Sequence, residues 1–330
     1  MRNVLSVENL NVTYVNKSKR VMAVRNASFS INRGDSLGIV GESGSGKSTL
    51  AMAILGLLPA QTTQITGKAL FLEDKDLFSI SEKEMNEIRW KKLAVVFQKA
   101  MNSLSPVHRI SEMIEDIYCV HEPRATKDEI RQVTFRLLKL VNLPERVYNL
   151  YPHEMSGGML QRVAIAISLL HQPQLLIFDE ATTALDVVTQ GQILNEIVQM
   201  EKELETTRIM ITHDMSVVAT SCTKIAVMYA GEIVETGFVK DVMVNPSHPY
   251  TKALLKSFPS LKGQNAKMES IPGFLPDLTK DYPYCIFAPR CSEAGKRCFR
   301  EKPTLKPDSI GGASACFIQQ GGVEYWHMLK

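Results

Sequence analysis

Nine residues, Gly41-Glu42-Ser43-Gly44-Ser45-Gly46-Lys47-Ser48-Thr49, set glycines, a lysine and a hydroxyl at the spacing Gly-x-x-x-x-Gly-Lys-Ser/Thr. Glycines at this spacing let the backbone turn tightly and aim successive N–H groups at one point, where phosphate oxygens bind. Lys47 reaches the outer phosphates and Ser48 offers its hydroxyl to Mg2+, so the expected ligand is ATP or GTP. Gly41, Ser43, Gly44, Ser45, Gly46 and Thr49 complete the expected cradle, and the helix that starts there adds its dipole.

Two further groups complete a phosphoryl-transfer chemistry. The apolar run Leu175-Leu176-Ile177-Phe178 ends in Asp179-Glu180, two carboxylates at the carboxyl edge of a buried strand, where ligands of doubly wound sheets sit. Asp179 is expected to hold Mg2+ through its water shell and Glu180 to polarise the attacking water. Ser156-Gly157-Gly158 opens the apolar stretch Val163 to Leu170 and supplies a second anion-binding helix N-terminus. Taken alone, a helix cap would be the favoured explanation of those three residues.

These groups need an α/β scaffold. Strand-like runs at Leu5–Val7, Asn11–Val15, Ala27–Ile31, Leu37–Val40, Lys68–Phe71 and Leu93–Phe97 surround one apolar helix, Ser48 to Leu58, stopped by Pro59. Capping boxes at Ser81–Glu84 and Thr126–Glu129 predict helices to about Trp90 and through Leu140. Between Gln98 and Gln172 the signals are helical, which predicts an inserted helical subdomain. Strands return at Leu175–Phe178, Arg208–Thr212 and Ile225–Tyr229 around the helical stretch Val188–Leu204, an alternation that predicts parallel pairing. Ala230-Gly231 reads as a hairpin turn into Glu232–Glu235. From Phe258 onward proline, glycine and lysine accumulate, which predicts a separate, loop-rich tail. The expected domains are a nucleotide-binding core at 1–98 and 173–257, a helical subdomain at 99–172 and a C-terminal extension at 258–330.

The chain has 330 residues, 45% of them hydrophobic and 22% charged, enough for a large core and more than one structural unit. A formal charge of +3 without a basic block offers no argument for nucleic acid. The longest apolar runs fall well short of the roughly 20 residues that span a bilayer, and the N-terminus lacks the pattern of a signal peptide. A cytoplasmic protein is expected. Of six cysteines, Cys119 and Cys222 stand alone while Cys285, Cys291, Cys298 and Cys316 crowd the last fifth, with five, six and seventeen residues between them. In a reducing compartment such a cluster points to a metal before disulfides, although the spacing alone leaves incidental thiols open.

Taken in order, these motifs resemble the ATP-binding subunits of ABC transporters over nearly the whole chain. The resemblance implies an α/β P-loop NTPase (RecA-like) core, an antiparallel β subdomain and the inserted helical subdomain. It makes Tyr14 the aromatic that stacks on adenine, Gln98 the link between the Mg2+ site and the helical subdomain, and Ser156, Gly157 and Gly158 the signature loop. Asp186 becomes the residue joining two active sites, and His213 the switch histidine at the terminal phosphate. Met155, Leu160 and Ala181 depart from the usual leucine, polar residue and proline, and Lys99-Ala100 from the usual pair after the glutamine, without removing a catalytic group. The signature loop is similar to those that contact ATP held by an opposite subunit, which implies a nucleotide-sandwich dimer.

Asn245 to Leu255, with His248-Pro249-Tyr250, and Asn102-Ser103-Leu104-Ser105-Pro106 resemble segments of the dipeptide, oligopeptide and nickel importer subfamily. That likeness implies peptide import, with nickel or another small solute as the alternative. It also implies a second, nonidentical ATPase subunit, two transmembrane permeases, an extracellular or periplasmic solute-binding protein and a place on the cytoplasmic membrane face. Pro289-Arg290-Cys291 and Lys296-Arg297-Cys298 resemble the cysteine motif of peptide-importer ATPases, some of which bind a 4Fe-4S cluster. The resemblance therefore favours iron-sulfur over zinc at Cys285, Cys291, Cys298 and Cys316, as a staple for a tail poor in regular structure.

Overall fold

Thr126 and Ser81 show how local chemistry starts helices. Thr126 Oγ1 accepts from the Glu129 N–H (3.3 Å) while Glu129 Oε2 accepts from the Thr126 N–H (2.7 Å), opening the helix Lys127–Leu140. Ser81 and Glu84 form the same reciprocal pair before Glu82–Ile88. The structure, a computed structural model, describes residues 3–16, 19–98, 104–182, 185–257, 270–308 and 311–319. Lys99, Ala100, Asn102, Ser103 and Ala184 lie outside the described residues.

The chain divides into two compact units. The first comprises Met1–Val4, Ile31–Ser36 and Phe71–Ile211. In it the strands Leu93–Phe97, Leu175–Asp179 and Thr207–Thr212 pair in parallel, with Phe97 opposite Asp179 and Asp179 opposite Ile211. Their residues are mostly buried, as expected for a parallel sheet covered by helices. The helices Ile110–His121, Lys127–Leu140 and Gly157–Ser168 follow, the last two joined through short 3-10 turns, and no strand occurs among the described residues from 104 to 172. The long helix Val187–Leu204 precedes the last strand.

The second unit comprises Leu5–Ser30, Leu37–Leu70 and Thr212–Lys330. Here the strand Lys19–Asn32 lies beside Asn3–Asn16, which lies beside Thr63–Phe71, the antiparallel β subdomain. The first strand runs unbroken where two were expected, because Asn9, at φ +50°, keeps its N–H satisfied by Ser28 Oγ (2.9 Å), and Asn11 accepts from the Asn26 N–H (2.9 Å). Ser36–Val40 pairs in parallel with Lys224–Tyr229, which turns through Ala230 and Gly231 into the antiparallel strand Glu232–Phe238. Positive φ at both turn residues, +48° and +90°, suits the twist of a tight hairpin. The helix after the phosphate loop stops at Ile54, four residues before its expected end. Gly56 takes φ +63° and closes a Schellman pair, its N–H donating to Ala53 and that of Leu57 to Met52, so the glycine and not Pro59 ends the helix.

The core of this unit gathers Val40, Val218, Ile225, Val227, Tyr229 and Tyr250 with Ile286 and Phe287 of the C-terminal extension. The Phe287 ring lies 5.1 Å from that of Tyr229 and 5.3 Å from that of Tyr250. Ile286 and Phe287 of the extension thus join a core built by the strands and helices before it, while Phe317 packs with Ala288 and Cys298 in a small cluster of the extension's own. Ala313–Ser314 pairs antiparallel with Glu232–Phe238 and so prolongs the same sheet edge.

Candidate functional site

Ser36–Val40 delivers the chain to Gly41 as a fully buried strand, and the loop closes on the helix Lys47–Ile54. Two glycines are required by space. A Cβ on Gly41 would lie 2.0 Å from the Met228 carbonyl oxygen, and one on Gly46, at φ +100°, would lie 2.1 Å from that of Ala23. The backbone therefore runs against its neighbours where its N–H groups must face a ligand. Lys47 is buried, and its Nζ donates to the carbonyls of Gly41 (2.8 Å) and Glu42 (3.0 Å), folding the cation back over the loop it serves. Ser43 and Gly44 are exposed at the loop tip, while Ser45 is buried and its carbonyl accepts from the Gly231 N–H (2.9 Å). Ser48 and Thr49 are half-buried on the first helical turn.

Tyr14 reaches the same loop, its hydroxyl 3.2 Å from Thr49 Oγ1. His213 follows the strand Thr207–Thr212 and is exposed; Asp214 beside it caps the helix Met215–Ser221 by accepting from the Ser216 N–H (2.8 Å). Tyr14, the phosphate loop and His213 all belong to the second unit.

The first unit carries the carboxylates. Asp179 ends its strand 6% exposed, and Glu180 follows at φ +50° with its N–H donating to the Ile211 carbonyl (2.9 Å). That left-handed residue turns the chain off the sheet at its carboxyl edge. Since Phe97 stands opposite Asp179, Gln98 leaves its own strand at the same sheet edge as Asp179 and Glu180. Ser156 and Gly157 are exposed at the start of the helix Gly157–Ser168, with Ser156 Oγ accepting from the Met159 N–H at 3.4 Å. Asp186 caps Val187–Leu204, accepting from the amides of Val188 (3.1 Å) and Thr189 (3.0 Å). Hydrogen bonds from Thr189, then Val188, hold its carboxyl below the usual carboxylate range.

The helix Gly157–Ser168 and the helix capped by Asp186 are tied by a pair that sequence reasoning missed. Arg162 Nε and Nη2 donate to Glu196 Oε2 (2.9 Å) and Oε1 (3.0 Å), and Asn142 Nδ2 donates to Oε1 (3.0 Å). Both charged side chains are mostly buried, which makes the forked geometry count. Their spacing in sequence, 34 residues, gives no local sign of the pairing.

Cys285, Cys291, Cys298 and Cys316 line one cavity with Phe287, Ala288 and Phe317, and all four are free thiols. Burial pushes the Cys285 and Cys291 thiols up to about 12, and that of Cys316 upward as well. A single zinc ion needs its donors about one point. Among the described residues no three His, Cys, Asp or Glu side chains are placed to hold one metal ion, so the arrangement lends no support of its own to the expected iron-sulfur or zinc site. Also among the described residues, no helix is long and apolar enough to cross a membrane.

Residues 24–183 match the family model described as ABC transporter, and residues 234–298 the one described as oligopeptide/dipeptide transporter, C-terminal region. The oligopeptide transport ATP-binding protein OppD of Salmonella typhimurium is 42% identical over 315 residues, covering 95% of this chain and 93% of that protein. The dipeptide transport ATP-binding protein DppD of Bacillus subtilis is 39% identical, covering 98% and 97%. Among solved structures, the post-hydrolysis dimer of the ATP-binding cassette MJ0796 bound to ADP and Pi aligns with a TM-score of 0.63 at 27% identity, covering 71% of this chain and 98% of that one. With a phosphate loop, a strand-end carboxylate pair and a capped Ser-Gly-Gly helix in one chain, and relatives 39–42% identical over 95–98% of its length, the chain belongs to the ABC transporter family as one of its ATP-binding, ATP-hydrolysing proteins.

Proposed function

We propose that this protein is the ATPase subunit that energises uptake of dipeptides or oligopeptides. The observation that carries the reading is that likeness to peptide-transport ATPases continues past the cassette into the C-terminal region, where the oligopeptide/dipeptide transporter model matches. Nickel import is not favoured, because the relatives named above carry peptide transport in their names. The working assembly in this reading contains two such ATPase subunits, the second a nonidentical chain, docked from the cytoplasm on two permeases fed by a solute-binding protein.

Each residue then has a role in hydrolysis. The backbone at Gly41, Ser43, Gly44, Ser45, Gly46, Lys47, Ser48 and Thr49 and the Lys47 ammonium bind and orient the phosphates, and Tyr14 stacks on adenine. Ser48, Gln98 and Asp179 suit Mg2+, being a hydroxyl, an amide oxygen and a buried carboxylate of the hard-oxygen kind it prefers. Bound there, Mg2+ neutralises charge on the transferring phosphate. Glu180 orients water and takes its proton, and His213 holds the terminal phosphate side. Ser156, Gly157 and Gly158 offer a helix N-terminus to ATP held by the opposite subunit, and Asp186 meets that subunit. ATP binding closes the pair and hydrolysis releases it, a two-state cycle suited to moving attached permeases.

We infer a 4Fe-4S cluster at the four tail cysteines, a reading supported by their lining one cavity, since each thiolate of a cubane takes a different iron. Bound there, the cluster would staple the extension.

A Glu180→Gln variant tests the hydrolytic reading. It should bind ATP, accumulate the closed pair on gel filtration, and lose turnover by about 100-fold or more, the scale of a missing general base. Hydrolysis at the unsubstituted rate would refute the role of Glu180. Reconstitution with copurified permeases should give ATP-dependent uptake of labelled peptides; copurification with soluble proteins alone would overturn the transport assignment.

A further inference from the structure

The C-terminal extension reaches the phosphate loop through an ion pair. Arg290, at the end of the short turn Ala288–Arg290, points its guanidinium at Glu42, the second residue of the loop. Nη1 donates to Glu42 Oε2 (2.8 Å) and Nη2 to Oε1 (3.0 Å), a two-pronged pair. The fork is itself fixed: Nε donates to the Pro272 carbonyl (2.7 Å), and Nη1 lies 3.3 Å from the Tyr229 hydroxyl. Arg290 is 6% exposed and Glu42 27%, so the pair is mostly withdrawn from water. Such a pair differs from the exposed ion pairs that contribute little.

Glu42 is held at its other groups too. Its N–H donates to the Tyr250 hydroxyl (2.9 Å), and its carbonyl accepts from Lys47 Nζ (3.0 Å) and the Ser45 N–H (3.1 Å). Two residues on, Leu275 of the extension places its Cδ1 3.4 Å from where a Cβ on Gly44 would be. One side chain therefore connects the extension, the core tyrosines and the loop that carries Lys47. None of the expected roles uses Glu42 or Arg290: Glu42 sits at an unspecified position of the loop pattern, and Arg290 drew attention only as the neighbour of Cys291.

We propose that Arg290 is a positioning residue for the phosphate loop: by gripping Glu42 it keeps the loop's N–H groups and Lys47 in the shape that receives nucleotide phosphates. The extension thereby contributes to ATP affinity without touching ATP, an inference that rests on the ATPase reading above. A loop already ordered loses less conformational freedom on binding its ligand, so it binds more tightly. Bound phosphates supply the same order themselves. Loss of the brace should therefore act on affinity and leave the saturated rate nearly intact.

The test uses the full chain and a fluorescent ATP analogue without Mg2+, so that binding is read without turnover. Arg290→Ala and Glu42→Gln should each weaken binding on the order of tenfold, the scale of a lost charge-assisted pair, and the double variant no more than either single one. Arg290→Lys, which keeps the charge but not the fork, should recover part of the loss. In the assembled transporter KM for ATP should rise while kcat stays within about twofold. Should Arg290→Ala disturb the extension, the isosteric Glu42→Gln carries the test from the loop side. Folded variants with unaltered affinity would overturn the brace, as would a fall in kcat at constant KM. Failure of the unsubstituted chain to bind ATP would instead overturn the ATPase reading itself.

Discussion

His248 makes a pH-dependent contribution to stability whose size can be worked out. It caps the helix Pro249–Lys256 with its Nδ1 accepting from the Tyr250 N–H (3.0 Å), and it is 2% exposed. Protonation would turn that acceptor into a second donor facing the amide. Burial first, then the Lys252 charge, lowers its pKa from 6.5 to about 3. The neighbouring carboxylate, Glu235, is occupied by the amides of Ser247 (2.6 Å) and His248 (3.0 Å), and burial raises its pKa.

Between pH 6.5 and 3 the unfolded chain binds a proton at residue 248 that the folded chain refuses. The stability from this residue is complete above 6.5 and is lost as pH falls, at about 1.4 kcal/mol per pH unit. From pH 7.5 to pH 5 the loss is about 2 kcal/mol. His248→Asn isolates it, because asparagine caps the same amide without titrating. The two proteins share Glu235, Lys252 and every other group, so the difference between their urea unfolding free energies reads residue 248 alone. That difference should shift by about 2 kcal/mol toward the variant on acidification from pH 7.5 to 5. Parallel stability curves would refute the neutral, buried acceptor.

Three further outcomes follow from the geometry. Gly46→Ala forces a side chain into the Ala23 carbonyl at a left-handed position and should cost at least ~3 kcal/mol and abolish nucleotide binding, checked by melting and by ATP-analogue titration. Arg162→Ala leaves the Glu196 carboxylate buried without its main partner and should destabilise by about 3 kcal/mol in urea; Arg162→Met with Glu196→Leu should recover most of it, and equal loss in both would count against a buried-charge penalty. Protein purified without oxygen should be brown and carry about four irons per chain, falling when Cys285 or Cys298 becomes serine; zinc in place of iron would sink the cluster.

The phosphate loop, the Asp179-Glu180 pair, the capped helices at Ser81 and Thr126 and the hairpin at Ala230-Gly231 were legible in sequence. Each rests on chemistry within a few residues: a glycine where φ is positive, a hydroxyl reaching an amide three residues on, an apolar run ending in acids. Where the reading slipped, longer-range partners had intervened. Asn9 looked like a break between strands until Ser28 satisfied its amide. The helix after the loop looked longer because its apolar run continues past Gly56, the residue whose left-handed backbone ends it.

Local sequence by itself therefore determined the reaction class, since the spacing of glycine, lysine, hydroxyl and carboxylate is the chemistry of phosphate. Tertiary structure decided what surrounds that chemistry. Arg290 reaches Glu42 across 248 residues and Arg162 reaches Glu196 across 34, and four scattered thiols come to line one cavity. No spacing rule encodes such meetings, because they depend on burial: a charge or thiol leaves water only when the folded chain brings its partners to it.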